Sequence, residues 1–183
     1  MDPIVEAALR KWPNVPHCHG WLALDARGDW YMRDERVQAA GAFPQVKGSI
    51  IRHDKLREFI HRNYLLDEQG GAYFQNGPQR VYVDLESTPY VWRVQPHPQE
   101  SGVWEVTAHT GEPVKEVVSA WLDEVGRLYL SCNLASVGPA FGLVHSLDML
   151  AAAEAVEAGL WVPQDLLAQE IPAHFGFQRT PRP

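Results

Sequence analysis

LDARGDWYM (Leu24–Met32), LDEQGGAYF (Leu66–Phe74) and LDEVGRLYL (Leu122–Leu130) repeat Leu, Asp, Gly, Tyr and a closing apolar residue in one register. At ordinary residue frequencies even one match to Leu-Asp-x-x-Gly-x-x-Tyr in a chain of this length is a chance event on the order of one in a few hundred. An aspartate at the first turn position accepts backbone N–H bonds, the glycine three residues on takes a positive φ, and the segment after it returns as a strand. Asp25, Gly28, Asp67, Gly70, Asp123 and Gly126 therefore read as structural corners of three β-hairpins. Three acidic corners converging on Ca²⁺ would need several oxygen ligands close together in sequence, and each corner has only one or two acids.

Outward from these hairpins the periodicity alternates between helix and strand. Asp2 suits a cap and Pro3 a first helical position, with Ile4, Ala8, Leu9 and Trp12 on one stripe before Pro13 ends the helix. Leu56, Phe59, Ile60 and Tyr64 predict a second helix starting near Asp54. Residues 33–48 hold Gly41, Pro44 and Gly48 without periodicity and read as a long loop. Strands are expected over 64–66, 72–75, 80–85 and 90–94, then over 103–109, 117–122, 128–133 and 142–144. Ser136–Gly142 reads as a loop, since it lacks the Gly-Lys-Ser/Thr ending of a phosphate cradle. Ser146 is placed as the cap of a helix running to about Ala158, Pro163 as the start of a short one, and the terminal RTPRP as a frayed tail. The fold class is thus α+β, with antiparallel meander sheets built from repeated hairpins and covered by an N-terminal helix, a central helix and C-terminal helices. The polar stretch Pro96–Gly102 divides the chain into halves at 1–98 and 99–183, unless it is only a loop of one continuous domain.

Sixteen Lys and Arg against 23 Asp and Glu give a formal charge of −7, with no basic run, which disfavours nucleic acid and anionic lipid as partners. No stretch approaches the roughly 20 apolar residues of a membrane span, and MDPIVEAALRKW does not resemble a secretory signal. Two cysteines, Cys18 and Cys132, allow one disulfide at most and form no CxxC pair, so a reducing cytoplasm is the expected setting.

An apolar strand, Asp-x-x-Gly-x-Trp-Tyr, an Ile and a Leu-x-x-Phe helix, Gly-x-x-Tyr and Val-x-Val with an acid before Pro-Tyr run from Trp21 through Ile51, Leu56, Phe59, Gly70, Tyr73, Val81, Val83, Glu86 and Pro89 to Tyr90. Over residues 21–94 this resembles proteobacterial families of domains of unknown function whose relatives carry repeated hairpin motifs. The resemblance implies a two-part α+β architecture and a role in signal transduction, and carries over no catalytic residue. The 33–48 stretch departs from it by a longer connection.

Alternation places Arg80, Tyr82, Asp84 and Glu86 on one face of a strand and Val81, Val83 and Leu85 on the other. With Trp92 and Arg93 on the following strand they form the candidate ligand-binding set; a solvated face carrying a salt bridge would explain the same pattern. His17, Cys18 and His19 form the one His/Cys cluster, but neighbours in an extended segment point to opposite faces and no second ligand group has zinc-like spacing. Cys132 reads as a core residue, and His145 as a turn-stabilising one. No metal and no cofactor is expected. In the absence of a catalytic signature the first reading is a non-enzymatic regulatory or interaction protein that binds a protein partner or small ligand. The alternative is a small hydrolase-type enzyme using Asp84 and Glu86, or Cys18 with a histidine. Nucleic-acid binding through an aromatic sheet face comes third.

Overall fold

The computed structural model describes residues 1–183. Pro3–Lys11 form α1, with Pro3 at its first turn and Arg10 and Lys11 in its last, where they complement the helix dipole. The first hairpin joins β1 (Cys18–Leu24) to β2 (Trp30–Met32). Residues 33–48, expected to be loop, contain the six-residue helix α2 (Glu35–Ala40), which buries none of its side chains and so leaves no apolar stripe to read. It forms because Asp34 caps it, accepting from the Val37 N–H at 2.9 Å. After β3 (Ser49–Ile50) comes α3 (Asp54–Arg62), capped by the His53 ring and burying Ile60. The second hairpin pairs β4 (Tyr64–Leu66) with β5 (Ala72–Asn76), and Gly77 at φ 56° turns the chain into β6 (Gln79–Leu85).

From β7 (Tyr90–Pro96) the chain enters another sheet. Residues 97–103 are the loop that returns it as β8 (Trp104–Ala108). The third hairpin joins β9 (Glu116–Leu122) to β10 (Leu128–Leu134), followed by β11 (Gly138–Val144). Most of the Ser136–Gly142 stretch expected to be loop is therefore strand: Pro139 faces Asn133 and Phe141 faces Ser131 across the ladder. A short 3₁₀ turn, Ser146–Asp148, leads into α4 (Met149–Glu157), and its cap is the His145 ring, which accepts from Leu147 N–H, rather than Ser146. Pro163 begins not a helix but β12 (Pro163–Asp165), and the helical turn comes later as α5 (Ile171–Phe175).

The class is α+β, as the pattern implies, but each sheet is mixed. One has the order β3-β2-β1-β6-β5-β4, antiparallel except between β1 and β6. The other has the order β12-β9-β10-β11-β7-β8, parallel at β11–β7 and β12–β9. The hairpins supply most of the antiparallel pairs, β2–β3 being joined instead through residues 33–48, and longer connections supply the parallel ones. By contacts the chain falls into two units, one of Met1–Asp25, Asp29–Ser87 and Gly176–Pro183 and one of Ala26–Gly28 and Thr88–Phe175.

The core of the first unit gathers Leu22, Leu24, Trp30, Ile60, Tyr64, Phe74 and Val83; Trp30 donates its indole N–H to His61 at 2.9 Å and meets Tyr64 edge-on. In the second, fully buried Trp92 donates to the Leu130 carbonyl at 3.0 Å and stacks on Tyr90. No helix is long and apolar enough to cross a membrane.

The three corners repeat in detail. Asp25, Asp67 and Asp123 each donate their N–H to the carbonyl four residues on, at 3.0, 3.0 and 3.1 Å, and accept the N–H of that same residue on Oδ1. Gly28, Gly70 and Gly126 stand at φ 83°, 78° and 81°, which closes a turn-plus-bulge hairpin open chiefly to glycine.

Candidate functional site

The second hairpin departs from the other two at its tyrosine. In the first and third, the tyrosine six residues after the aspartate donates its hydroxyl to aspartate Oδ2, Tyr31 to Asp25 at 3.2 Å and Tyr129 to Asp123 at 2.9 Å. In the second, Asp67 Oδ2 is taken at 2.8 Å by Tyr82 of the neighbouring strand, and the Tyr73 hydroxyl has no hydrogen-bond partner in the protein. Gly71 makes room for this exchange. Asp29 and Arg127 occupy its place in the other copies, and a Cβ there would lie 3.0 Å from the Tyr82 ring and 3.1 Å from Asp67 Oδ2.

Around the displaced tyrosines lies a cleft of about 810 Å³ in the first unit. Tyr73, Arg80 and Tyr82 come from β5 and β6, His17 from just before β1 and His19 from its start, and Asp67 to Gln69 from the hairpin. The Arg80 guanidinium lies over the Tyr73 ring, 4.6 Å from its centroid, and makes no salt bridge. His19 stacks on Tyr82 with centroids 4.6 Å apart and planes 8° from parallel, while His17 meets the same ring edge-on. The His19 Nδ1 lies 3.3 Å from the Pro181 carbonyl oxygen.

Residues 176–183, of which the RTPRP at 179–183 is expected from the sequence to fray, form the remaining wall. The strap is pinned by Gln178 N–H on the Gly70 carbonyl at 3.0 Å, Leu85 N–H on the Arg179 carbonyl at 2.7 Å, and Arg182 on Asp84 Oδ1 at 2.8 Å. Its approach requires a glycine on the hairpin, because a Cβ at position 70 would fall 1.9 Å from the Gly176 carbonyl oxygen.

Burial pushes the Asp67 carboxyl up, but the Tyr82 hydroxyl, the Gly71 and Gln69 N–H groups and the Arg80 charge outweigh it and hold Asp67 below the usual carboxylate range. Burial and the bond to Asp67 push the Tyr82 hydroxyl up. Burial also raises Tyr73, so both phenols are neutral donors at physiological pH.

The candidate stripe is only partly brought together. Arg80 and Tyr82 line the cleft. Asp84 lies further along the same strand but is buried, 3% exposed, between the guanidiniums of Arg33 at 3.4 Å and Arg182 at 2.8 Å. Glu86, just past the end of β6, pairs with Lys47 at 3.1 Å, and that lysine also holds Asp25 at 2.9 Å. Trp92 and Arg93 are corrected: β7 belongs to the other sheet, where Trp92 is core and Arg93 makes a two-pronged salt bridge to Asp148. Reading successive strands as spatial neighbours misses that β6 pairs instead with β1 and β5.

Burial raises the Cys18 thiol and pushes Cys132 up to about 12, which keeps both away from the thiolate form. No group of three or more His, Cys, Asp or Glu side chains is placed to hold a metal ion. Tyr73, Gln178 and Arg182 escape sequence reasoning as site residues, Tyr73 absorbed into the repeat and Arg182 into the RTPRP tail, with Gln178 just before it. The available signal is the doubled glycine of Gly70 and Gly71, unique among the three copies.

In fold the chain is similar to a DUF1285 family protein from Silicibacter pomeroyi DSS-3, with a TM-score of 0.52 and 14% identity over 84% of each chain. A DUF1285 family protein from Shewanella baltica OS155 matches with a TM-score of 0.48 and 13% identity, over 74% of this chain and 91% of that one. No curated protein matches the sequence. The model of the DUF2944 family, "Protein of unknown function (DUF2946)", matches residues 1–182, and the chain belongs to that family.

Proposed function

We propose that this is a non-enzymatic regulatory protein of the cytoplasm that binds a small ligand in the cleft of its first unit, with signal transduction as the setting. The observation that carries this reading is the departure of the second hairpin from its own repeat. Where the other copies spend the tyrosine hydroxyl on their turn, this one leaves Tyr73 unbonded beneath Arg80, and both face a cleft of about 810 Å³. That volume lies within the roughly 300–1,000 Å³ of small-molecule sites, and an aromatic wall with a few polar groups is their usual chemistry.

The hydrolase reading has less support. Asp84 is neutralised by two guanidiniums and Glu86 by Lys47, so neither is placed as a poised acid or base, and the Cys18 thiol is shifted away from the nucleophilic form. The test is a thermal-shift screen of the full chain against a broad metabolite panel, with hits mapped by amide chemical shifts. A ligand at 100 times its Kd stabilises by about 2.7 kcal/mol. Hits that move the amides of Gln69, Gly71, Arg80 and Gln178 support the reading. An empty screen, or hits that leave those amides in place, would overturn it.

A further inference from the structure

Two groups of the cleft keep donor capacity that the protein does not use. The Tyr73 hydroxyl is one; the other is Arg80, which lies over the Tyr73 ring at 4.6 Å and shares one hydrogen bond with the Tyr82 hydroxyl but has no carboxylate within salt-bridge distance. The acid nearest to them is already engaged: Asp67 Oδ1 accepts from Gln69 and Gly71 and Oδ2 from Tyr82. Across the cleft Arg182 shares Asp84 with the buried Arg33, two guanidiniums on one carboxylate. Glu68 lines the cleft from the exposed tip of the hairpin. Arg80 and Arg182 thus set two guanidiniums on the cleft of a protein whose formal charge is −7.

We infer that the occupant of the cleft is a small organic anion, its carboxylate or phosphate oxygens taken by the Arg80 guanidinium and the Tyr73 hydroxyl. This rests on the reading of the cleft as a ligand site and adds the chemical class. Guanidinium N–H groups and a phenol O–H make charge-assisted bonds to anionic oxygen, and a guanidinium stacked on a ring is already oriented, so less freedom is lost on binding. The Arg80–Tyr73 stack and the Tyr82–His19 stack supply flat walls for an organic body, which a volume of about 810 Å³ accommodates and an inorganic anion would not fill.

The experiment is calorimetric titration of the full chain at low ionic strength with benzoate and adenosine 5′-monophosphate. Their neutral counterparts, benzamide and adenosine, and inorganic phosphate serve as the comparison arms. The expected result is that at least one organic anion binds at least tenfold more tightly than its neutral counterpart and than phosphate. Benzoate or the nucleotide leading would identify carboxylate or phosphate as the group. Arg80→Gln should cost tenfold or more and Arg80→Lys less, while Tyr73→Phe, which keeps the ring and the fold, should weaken binding severalfold. Equal binding of neutral and anionic probes, or an Arg80→Gln protein that binds unchanged, would overturn the anion and leave the cleft as a ligand site. No binding by any of these probes at millimolar concentration also overturns the anion, whereas the ligand site itself stands or falls on the mapped screen above.

Discussion

The Tyr82 hydroxyl donates to Asp67 Oδ2 at 2.8 Å, in the position that Tyr31 and Tyr129 occupy on the aspartates of their own hairpins. A bond within one hairpin has been replaced by a bond between neighbouring strands. The turn is thereby tied to β6, and the face that carries Arg80 is set against the hairpin.

Tyr82→Phe removes that bond together with the hydroxyl's weaker contact to the Arg80 guanidinium. A hydrogen bond to a charged group contributes roughly 1.5–3 kcal/mol, and partial solvent access to Asp67 puts the expected loss near the lower end, about 1.5 kcal/mol at pH 7. The pH dependence follows from the depressed Asp67 carboxyl. Its stabilisation is complete above the unfolded value of about 3.9 and is lost as pH falls through the lower folded value. Urea melts of the two proteins should therefore differ by a constant amount from pH 5 to 8 and converge below pH 4. A gap that persists at pH 2 would mean that the phenol acts through packing alone.

Gly70 and Gly126 are equivalent corners with φ of 78° and 81°, but only Gly70 is overlaid by the strap. Gly126→Ala meets nothing within 4 Å and should cost the left-handed backbone penalty of about 1–2 kcal/mol. Gly70→Ala adds a methyl 1.9 Å from the Gly176 carbonyl oxygen and must displace residues 176–183. It should cost about 3 kcal/mol and expose the strap to protease and to rapid amide exchange at Gln178. Equal costs for the two substitutions would show that the strap is not held against the hairpin.

Asp84 sits between one buried cation and one half-exposed cation, with Arg33 3% and Arg182 49% exposed at the side chain. Asp84→Asn leaves the buried Arg33 without a counter-charge, and denaturant unfolding should show a loss of about 3–5 kcal/mol. Arg182→Ala leaves the buried pair intact and should cost about 1 kcal/mol or less. The reverse order would place the stabilising charge on the strap rather than in the core.

The hairpins and the main helices were legible because their signals are local: Asp and Gly fix a turn within five residues, and an apolar stripe fixes a helix within a few turns. What escaped was set by distant partners. The α2 helix buries nothing, β12 is three residues held by the Leu122 end of β9, and the RTPRP tail is polar in composition but pinned by Leu85 and Asp84. Of the candidate site, Arg80 and Tyr82 were visible as an alternating face. Tyr73 was hidden by its membership in the repeat, because a motif shows which residues recur and not which copy has surrendered its bond.

Tyr73 and Tyr129 hold the same place in two copies of one motif, both are largely buried, and they differ in what their hydroxyls do. Tyr129 donates to Asp123 Oδ2 at 2.9 Å in a fully buried setting, where Arg127 shares the same oxygen, so Tyr129→Phe leaves a charged acceptor short of a donor. It should cost roughly 1.5–3 kcal/mol. Tyr73→Phe removes a hydroxyl with no protein partner and keeps the ring under Arg80, so its stability should change by less than about 0.5 kcal/mol. Paired thermal and urea melts decide the matter without any ligand. A silent Tyr73→Phe beside a costly Tyr129→Phe would mean that the second hairpin keeps its hydroxyl for something outside the fold. Two equal losses would mean that Tyr73 is bonded within the protein and that the cleft lacks its second donor.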